Sequence, residues 1–400
     1  MRIGMMADAY KPHISGITNV IALSKKFLEK AGFEVYVFTF GGGDYVDDEP
    51  NIIRTRGVPL VDTGLYFSAR HSSEAQKTLQ KMDIIHAHHP FTSGQLAIRY
   101  CRAQGIPLVF TNHTRYDLYA QAYLPMVPDA LGDAFLKAYM PAFCKACDLL
   151  IAPSAGLKDV LIGLGVESAI EVIPNGVDVQ PFQTVKKPIS REFLGFTEED
   201  ILLTYMGRIG PEKNLPFLLR AFAGIAKSYE NVGMVVIGDG PERENLEDRV
   251  RVMGMQDRIK FTGMIPYAEL PAYMAAADVF TTASVTEVHP LSVIEALASG
   301  LPVVGIHSPG VGDIVQDGFT GFLAPEEDLA VYTAKLSRII TDHETREQMS
   351  QNAKEVSSIY AIENTTKTMI DRYQKLVFEY TGKKAGLLQR LTRPFRRKKI

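Results

Sequence analysis

Short segments rich in apolar residues alternate along this chain with longer stretches in which apolar residues recur every three to four positions. Apolar-rich segments of four to seven residues between turn residues read as buried strands of a parallel sheet. The longer amphipathic stretches read as helices covering them. In the first half these segments fall at residues 2–7, 34–40, 83–86, 107–112, 148–152 and 170–173. In the second half they fall at 201–206, 233–237, 259–262 and 277–281, with a last one closing the stretch 281–305. Ile17, Val20, Ile21 and Leu28 lie at helical spacing in a helix expected from about Thr18. Helices are expected again at about 327–341, 344–356 and 363–381. Residues 44–73 read as irregular, and 317–323 as a hairpin-like turn. Strand–helix alternation occurs twice, with little periodicity at 179–188 between. That predicts two α/β units and a linker. The halves share this rhythm but no sequence repeat.

Composition and charge sharpen the reading. At 400 residues two domains are expected, and 46% hydrophobic residues supply two cores. No apolar run approaches the ~20 residues that span a bilayer. The start, MRIGMMADAY, reads as a strand and not as a signal peptide, because it lacks an apolar core followed by a cleavage site. Cys101, Cys144 and Cys147 make no disulfide framework, which suits a reducing cytoplasm. Cys144 and Cys147 sit in an apolar helical context and read as buried helix cysteines, not a redox pair. The net charge of −3 hides an asymmetry. Residues 383–400 hold eight basic residues and no acid, leaving 35 basic against 46 acidic elsewhere, a net −11. An acidic body with a basic tail argues against a nucleic-acid binder and for an anionic surface met by the tail. In that tail Leu387, Leu388, Leu391 and Phe395 fall near one helical face, although Pro394 must kink or end the helix. This is the pattern of an interfacial anchor; a solvated terminus is the plainer alternative.

The chemistry concentrates at strand-to-helix loops. In residues 281–305, Glu287 lies in a loop, Pro290 can open a helix, and Glu295 follows inside it. Ser292 and Val293 then carry backbone N–H groups with no helical acceptor, an anion site beside two carboxylates that can take hydroxyl donors. Hydroxyls plus phosphate suit a sugar nucleotide. Arg208 and Lys213 lie five apart on the loop after strand 201–206, just before a helix. Two cations there make a diphosphate clamp. Ser15-Gly16-Ile17 follows the first strand, where Gly16 would let backbone approach a diphosphate. Gly41-Gly42-Gly43 and Gly238-Asp239-Gly240 both lack dinucleotide-binding spacing. His113 stands where a parallel strand meets its loop, the mouth where α/β folds bind ligands. His86, His88 and His89 invite a metal reading, but no acid or cysteine set with metal spacing accompanies them. Residues 117–147 are unusually apolar, which fits either a core helix pair or an acceptor groove or membrane-facing patch.

Glu287-x7-Glu295, followed by Ala296-Leu297-Ala298-Ser299-Gly300-Leu301-Pro302-Val303-Val304, resembles the signature of retaining glycosyltransferases of family 4, which have the GT-B fold. Gly207-Arg208-x-x-x-Glu212-Lys213-Asn214 resembles a second motif of that family, and Ile173-Pro174-Asn175-Gly176-Val177-Asp178 its hinge. The resemblance implies two Rossmann-like domains facing a cleft, with the last helix crossing back to the first. The expected division is 1–180 on the acceptor side, 181–362 binding the nucleotide sugar, 363–382 crossing back, and 383–400 as a basic tail. It implies that Glu287 approaches the donor sugar and Glu295 holds the ribose. Arg208 and Lys213 take the diphosphate, and His113 reaches the sugar's 6-hydroxyl. His289, Leu291, Ser292 and Val293 line the sugar and diphosphate, and main chain at Ile265 meets the base. A donor phosphate oxygen takes the acceptor proton, so no metal or other cofactor is expected. Two departures stand out. Val288-His289-Pro290 follows the first Glu where many relatives have Phe-Gly, and the first loop has one Gly where Gly-Gly is usual.

The expected activity is transfer of a hexose from a nucleotide sugar, UDP favoured, to a hydroxyl acceptor. The His113-Thr114-Arg115-Tyr116 segment resembles bacterial enzymes that glycosylate diacylglycerol, so a membrane lipid is the expected acceptor, reached from the cytoplasmic face. A GDP-mannose-dependent or soluble-acceptor transferase, a sugar-nucleotide epimerase or hydrolase, and a non-catalytic membrane-binding protein are the alternatives.

Overall fold

The computed structural model of the chain describes residues 1–42, 45–59, 66–118 and 128–391, the last nine by backbone alone. Two parallel sheets organise it. The first holds β1 (Arg2–Met6), β2 (Glu34–Gly41), β3 (Ile52–Arg56), β6 (Ile84–Ala87), β7 (Leu108–Thr111), β8 (Leu149–Ala152) and β9 (Ile170–Val172). Their order is β3-β2-β1-β6-β7-β8-β9. A two-stranded antiparallel ribbon, β4 (Val58–Pro59) with β5 (Tyr66–Phe67), stands apart. The second sheet holds β10 (Ile201–Met206), β11 (Val232–Ile237), β12 (Ile259–Gly263), β13 (Val279–Thr281), β14 (Val303–Ile306) and β15 (Gly321–Ala324). Their order is β12-β11-β10-β13-β14-β15. In both sheets the strand order reverses beside the first strand, so neighbouring loops part there and open a crevice at the strands' carboxyl ends. The two crevices follow β1 and β10, the strands that deliver Gly16 and Arg208. This is the two-Rossmann, GT-B architecture that the sequence predicts.

Strand interiors are almost wholly buried on both faces, as helices on either side require. Ile3, Met5, Val35, Val37, Ile84 and Val109 pack with Ile21 and Leu28 of helix Gly16–Lys30 and with Met369 and Tyr373 of helix Ile362–Leu391. That last helix starts at the second domain and lies against the first. Tyr373 Oη meets His86 Nδ1 at 2.6 Å, and Arg372 Nε reaches Glu171 at 2.6 Å. At the hinge, Val177 N–H donates to Tyr360 and Ile362 N–H donates back to Val177, both at 2.9 Å. A Cβ at Gly176 would stand 2.6 Å from Ile362 Cα, so only glycine lets hinge and helix meet here.

Several local expectations change. The first helix begins at Gly16, two residues early, because Ser15 and Thr18 cap it reciprocally. Strand β3 lies within the region read as irregular. It is a half-buried edge strand, Ile-Ile-Arg-Thr-Arg, with too few apolar residues to form a run. Residues 317–323 make no hairpin: the turn before Gly321 feeds a strand parallel to β14. Pro290 caps the helix Leu291–Ala298 and is not its first residue. The last helix continues past 381 to Leu391, so the basic segment begins as helix. Within the apolar stretch, residues 119–127 lie outside the described residues, and Asp129–Cys144 is one helix. Its inner face buries Leu136, Met140 and Phe143, while Leu131 and Phe135 are exposed. Cys101, Cys144 and Cys147 are free thiols. No helix among the described residues is long and apolar enough to cross a membrane.

Candidate active site

The second-domain side of the cleft is assembled by glycines. Gly207 and Gly238 both have positive φ, and a Cβ on Gly238 would overlap the Gly207 carbonyl oxygen. Ile209 N–H donates to Asp239 at 2.9 Å, and Glu242 N–H donates to Ile209 at 3.1 Å. The Gly238-Asp239-Gly240 turn is therefore a bed for the loop that bears Arg208. The Glu212 carbonyl, next to Lys213, accepts hydroxyls of Ser284 and Thr286 at 3.3 Å, which joins that loop to the one bearing Glu287. The result is one compact polar centre: Lys213 Nζ sits 2.6 Å from Glu287 Oε1, both largely buried. Arg208 adds positive charge facing the first domain. Burial first, and then the Arg208 charge, lowers the pKa of His13 in the loop after β1.

Glu295 is 4% exposed and accepts a hydrogen bond from Tyr267 Oη at 2.8 Å. Burial pushes its pKa up to about 7, against the lowering effect of the Tyr267 hydroxyl. Tyr267 is itself steadied edge-on by Phe182, at 6.2 Å between ring centroids. Leu291 and Val293 turn their side chains into the core, so only their backbone N–H groups are offered at the helix start. Ser292 and Ile265 are half-buried. The His289 ring is buried edge-on against Tyr360 at 5.3 Å, with its pKa lowered by burial to about 4, and its carbonyl accepts from Asn175 of the hinge at 3.1 Å. A ligand contact at His289 is therefore left to the main chain.

On the first-domain side, Gly16 is exposed at the start of its helix, and a Cβ there would meet no protein atom within 4 Å. Packing within the protein does not demand this glycine. His113 Nε2 lies 3.0 Å from His88 Nδ1. The domains meet beside Glu287: Val288 joins the first domain's core cluster, and Asp313 Oδ2 accepts from Gly156 N–H at 3.0 Å. Among the described residues no group of three or more His, Cys, Asp or Glu is arranged to hold a metal ion.

Two family models cover most of the chain: "Glycosyltransferase Family 4" over residues 14–181 and "Glycosyl transferases group 1" over 186–356. An alpha-monoglucosyldiacylglycerol synthase of Streptococcus pneumoniae is 33% identical over 369 residues, 90% of this chain and 83% of that protein. The chain belongs to the family 4 glycosyltransferases. A second alpha-monoglucosyldiacylglycerol synthase, from Acholeplasma laidlawii, is 29% identical over 94% of this transferase and 98% of that protein. Among solved structures, Anabaena Alr3699/HepE in complex with UDP-glucose superposes with a TM-score of 0.77 at 19% identity, covering 94% of this chain and all of that one. That likeness speaks for the fold.

Of the residues singled out from sequence, the transferase brings Lys213 and Glu287 into direct contact and sets Glu295 in a buried niche. His113 and Gly16 lie on the opposite domain. Sequence reasoning missed Tyr267 and Asp313, and it named His88 only within a histidine cluster and Asn175 only within the hinge motif, without their partners. Each acts through a partner more than 20 residues away in sequence.

Proposed function

We propose that this transferase is a retaining hexosyltransferase that moves a hexose from a UDP-sugar to a hydroxyl of diacylglycerol or a similar membrane lipid. The observation that carries the reading is the pair of relatives that match this chain over nine-tenths of its length or more, both named for monoglucosyldiacylglycerol synthesis. In this reading Arg208, Lys213 and the N–H groups at Leu291–Val293 stabilise the departing diphosphate as negative charge builds on it. Glu295 takes the ribose hydroxyls, Glu287 and His113 address the sugar, and main chain at Ile265 meets the base. Gly16 leaves room for backbone to approach the diphosphate. A donor phosphate oxygen takes the acceptor proton as the new glycosidic bond forms, and the anomeric configuration is kept. No metal takes part, so turnover should survive EDTA. The enzyme works at the cytoplasmic membrane face, attached through its basic tail.

The test is purified full-length enzyme with UDP-glucose, UDP-galactose or GDP-mannose. Each is offered with dioleoylglycerol in mixed micelles or with soluble polyols, and the product anomer is read by NMR. Formation of an α-linked hexosyl-diacylglycerol from a UDP-hexose is expected. Turnover restricted to GDP-mannose or to a soluble acceptor would replace the donor or acceptor assignment. Nucleotide-sugar cleavage that does not need an acceptor would replace transfer by hydrolysis.

A further inference from the structure

His88 follows β6 and His113 follows β7, neighbouring parallel strands, so the two residues stand side by side at the carboxyl edge of the first sheet. Their rings lie edge to edge in nearly one plane, with centroids 5.2 Å apart and planes 17° apart, and His88 Nδ1 lies 3.0 Å from His113 Nε2. Behind them the His86 ring packs tilted against His88, with centroids 4.2 Å and planes 31° apart. Both nitrogens of His86 are engaged, one by Tyr373 Oη of the crossing helix at 2.6 Å and the other by Thr111 Oγ1 at 2.7 Å. The ladder is thus anchored at its inner end. Burial lowers the pKa of both His88 and His113 well below the ordinary histidine value, so both rings are neutral near pH 7.

Between two neutral imidazoles there is one proton for the shared hydrogen bond, and it can belong to either ring. The other nitrogen of His88 decides which. Nε2 of His88 is buried and has no hydrogen-bond partner among the described residues. If His113 were the donor, His88 would carry its own proton on Nε2, as a buried N–H without an acceptor. If His88 is the donor, Nε2 is only a lone pair. Orphaned buried N–H groups are rarer and dearer than under-used acceptors.

We infer that His88 is a positioning residue that donates from Nδ1 to His113 Nε2. It thereby fixes His113 as the Nδ1–H tautomer, so that His113 offers the sugar donor a hydrogen-bond donor and not an acceptor. The inference rests on the reading that His113 touches the sugar. It makes His113 select for an oxygen lone pair on the donor hexose, and it makes His88 the residue that sets this choice.

Two experiments test it. Long-range 1H–15N correlation spectra of the full-length wild-type enzyme labelled with 15N-histidine report the tautomer directly, with His113→Leu identifying the signals. The Nδ1–H form is expected at His113, and an Nε2–H form there overturns the inference. Steady-state rates with UDP-glucose then compare substitutions at His88. In His88→Asn the side-chain amide N–H falls near the place of Nδ1 and can still donate, so the variant should keep most of the wild-type rate. His88→Leu should lower kcat/KM about tenfold, the worth of one hydrogen bond. UDP affinity, read separately, should stay level across the set and confirms that each variant is folded. If His113→Leu has no effect on rate, the sugar-contact reading itself fails. If His113→Leu is impaired while His88→Leu matches wild type, only the His88 assignment fails.

Discussion

Lys213 and Glu287 form a close ion pair in the cleft, 2.6 Å apart. A diphosphate arriving at Lys213 competes with a carboxylate already there, and the ammonium can serve both only if each gives up part of its coordination. Lys213→Ala should therefore remove one charge-assisted contact from the leaving group and leave Glu287 without its counter-ion, costing about 1.5–3 kcal/mol in kcat/KM. Wild-type transfer rates in that variant would show that Lys213 does not hold the diphosphate. Glu295 makes a different demand. Its folded pKa of about 7 lies above the ordinary 4.5 because burial penalises the anion. The folded state then holds a proton that the unfolded state has lost between these values, so stability should fall as pH rises from about 4.5 through 7. Glu295→Gln should flatten that fall, read as Tm against pH. Ligand binding should run the opposite way, since ribose hydroxyls need an ionised acceptor. The ratio of UDP affinities, wild type over Glu295→Gln, should grow between pH 5.5 and 8, which cancels the titration of UDP itself. Tyr267→Phe, by deleting the hydrogen bond that lowers this pKa, should shift the midpoint upward.

At the scale of loops and helices, two glycines separate packing from ligand approach. Gly238 has φ +133°, and a Cβ there would overlap the Gly207 carbonyl beneath the Arg208 loop. Gly238→Ala should destabilise the chain by roughly 2–4 kcal/mol, read by urea unfolding, and lower activity with it. Gly16→Ala meets no protein atom within 4 Å, so stability should change by no more than about 0.5 kcal/mol while the KM for the nucleotide sugar rises. Equal loss of stability in both would refute the assignment of Gly16 to ligand approach. The contrast also shows what a sequence can carry. Most buried parallel strands were legible because each is rich in apolar residues between turn signals; β15, only four residues long and directly behind a Gly-rich turn, was read as part of that turn. The clamp was legible because Arg208 and Lys213 sit on one short loop. Strand β3 was not, since an edge strand needs apolar residues on one face only and Ile52-Ile53-Arg54-Thr55-Arg56 offers no run. The role of Gly238 was equally hidden: its reason is a carbonyl 31 residues earlier in the chain. His88 and Tyr267 fall in the same class, because what matters is the partner that the fold supplies.

Across the whole molecule, the helix Ile362–Leu391 ties the domains together and points onward into the basic tail. It is rooted on the first domain through Arg372 with Glu171, Tyr373 with His86, and Tyr380 with Asp148. Its 30 residues span about 45 Å as one helix, and the nine beyond Gly382 extend it by about 13 Å. Lys383, Lys384, Leu387, Leu388 and Arg390 lie on that extension, so the first part of the tail continues a helix fixed to the first domain. Residues 392–400, with Phe395 and five of the eight basic residues, lie outside the described residues. A tail attached in this way would hold the first domain at a set angle to a membrane as well as holding the enzyme near it. Each basic residue near an anionic leaflet contributes about 1 kcal/mol, screened over a Debye length of about 8 Å at physiological salt. Eight of them would suffice for reversible attachment even after heavy discounting. The full chain should co-sediment with phosphatidylglycerol vesicles at low salt, release at high salt, and ignore phosphatidylcholine vesicles. A truncation after Gly382 should lose most of that binding while keeping its affinity for UDP, because the residues that build the cleft all precede the cut. Indifference of the full chain to anionic vesicles sinks the anchor. If truncation changes nothing, the contact lies elsewhere, and the exposed Leu131 and Phe135 on helix Asp129–Cys144 become the residues to replace with serine next.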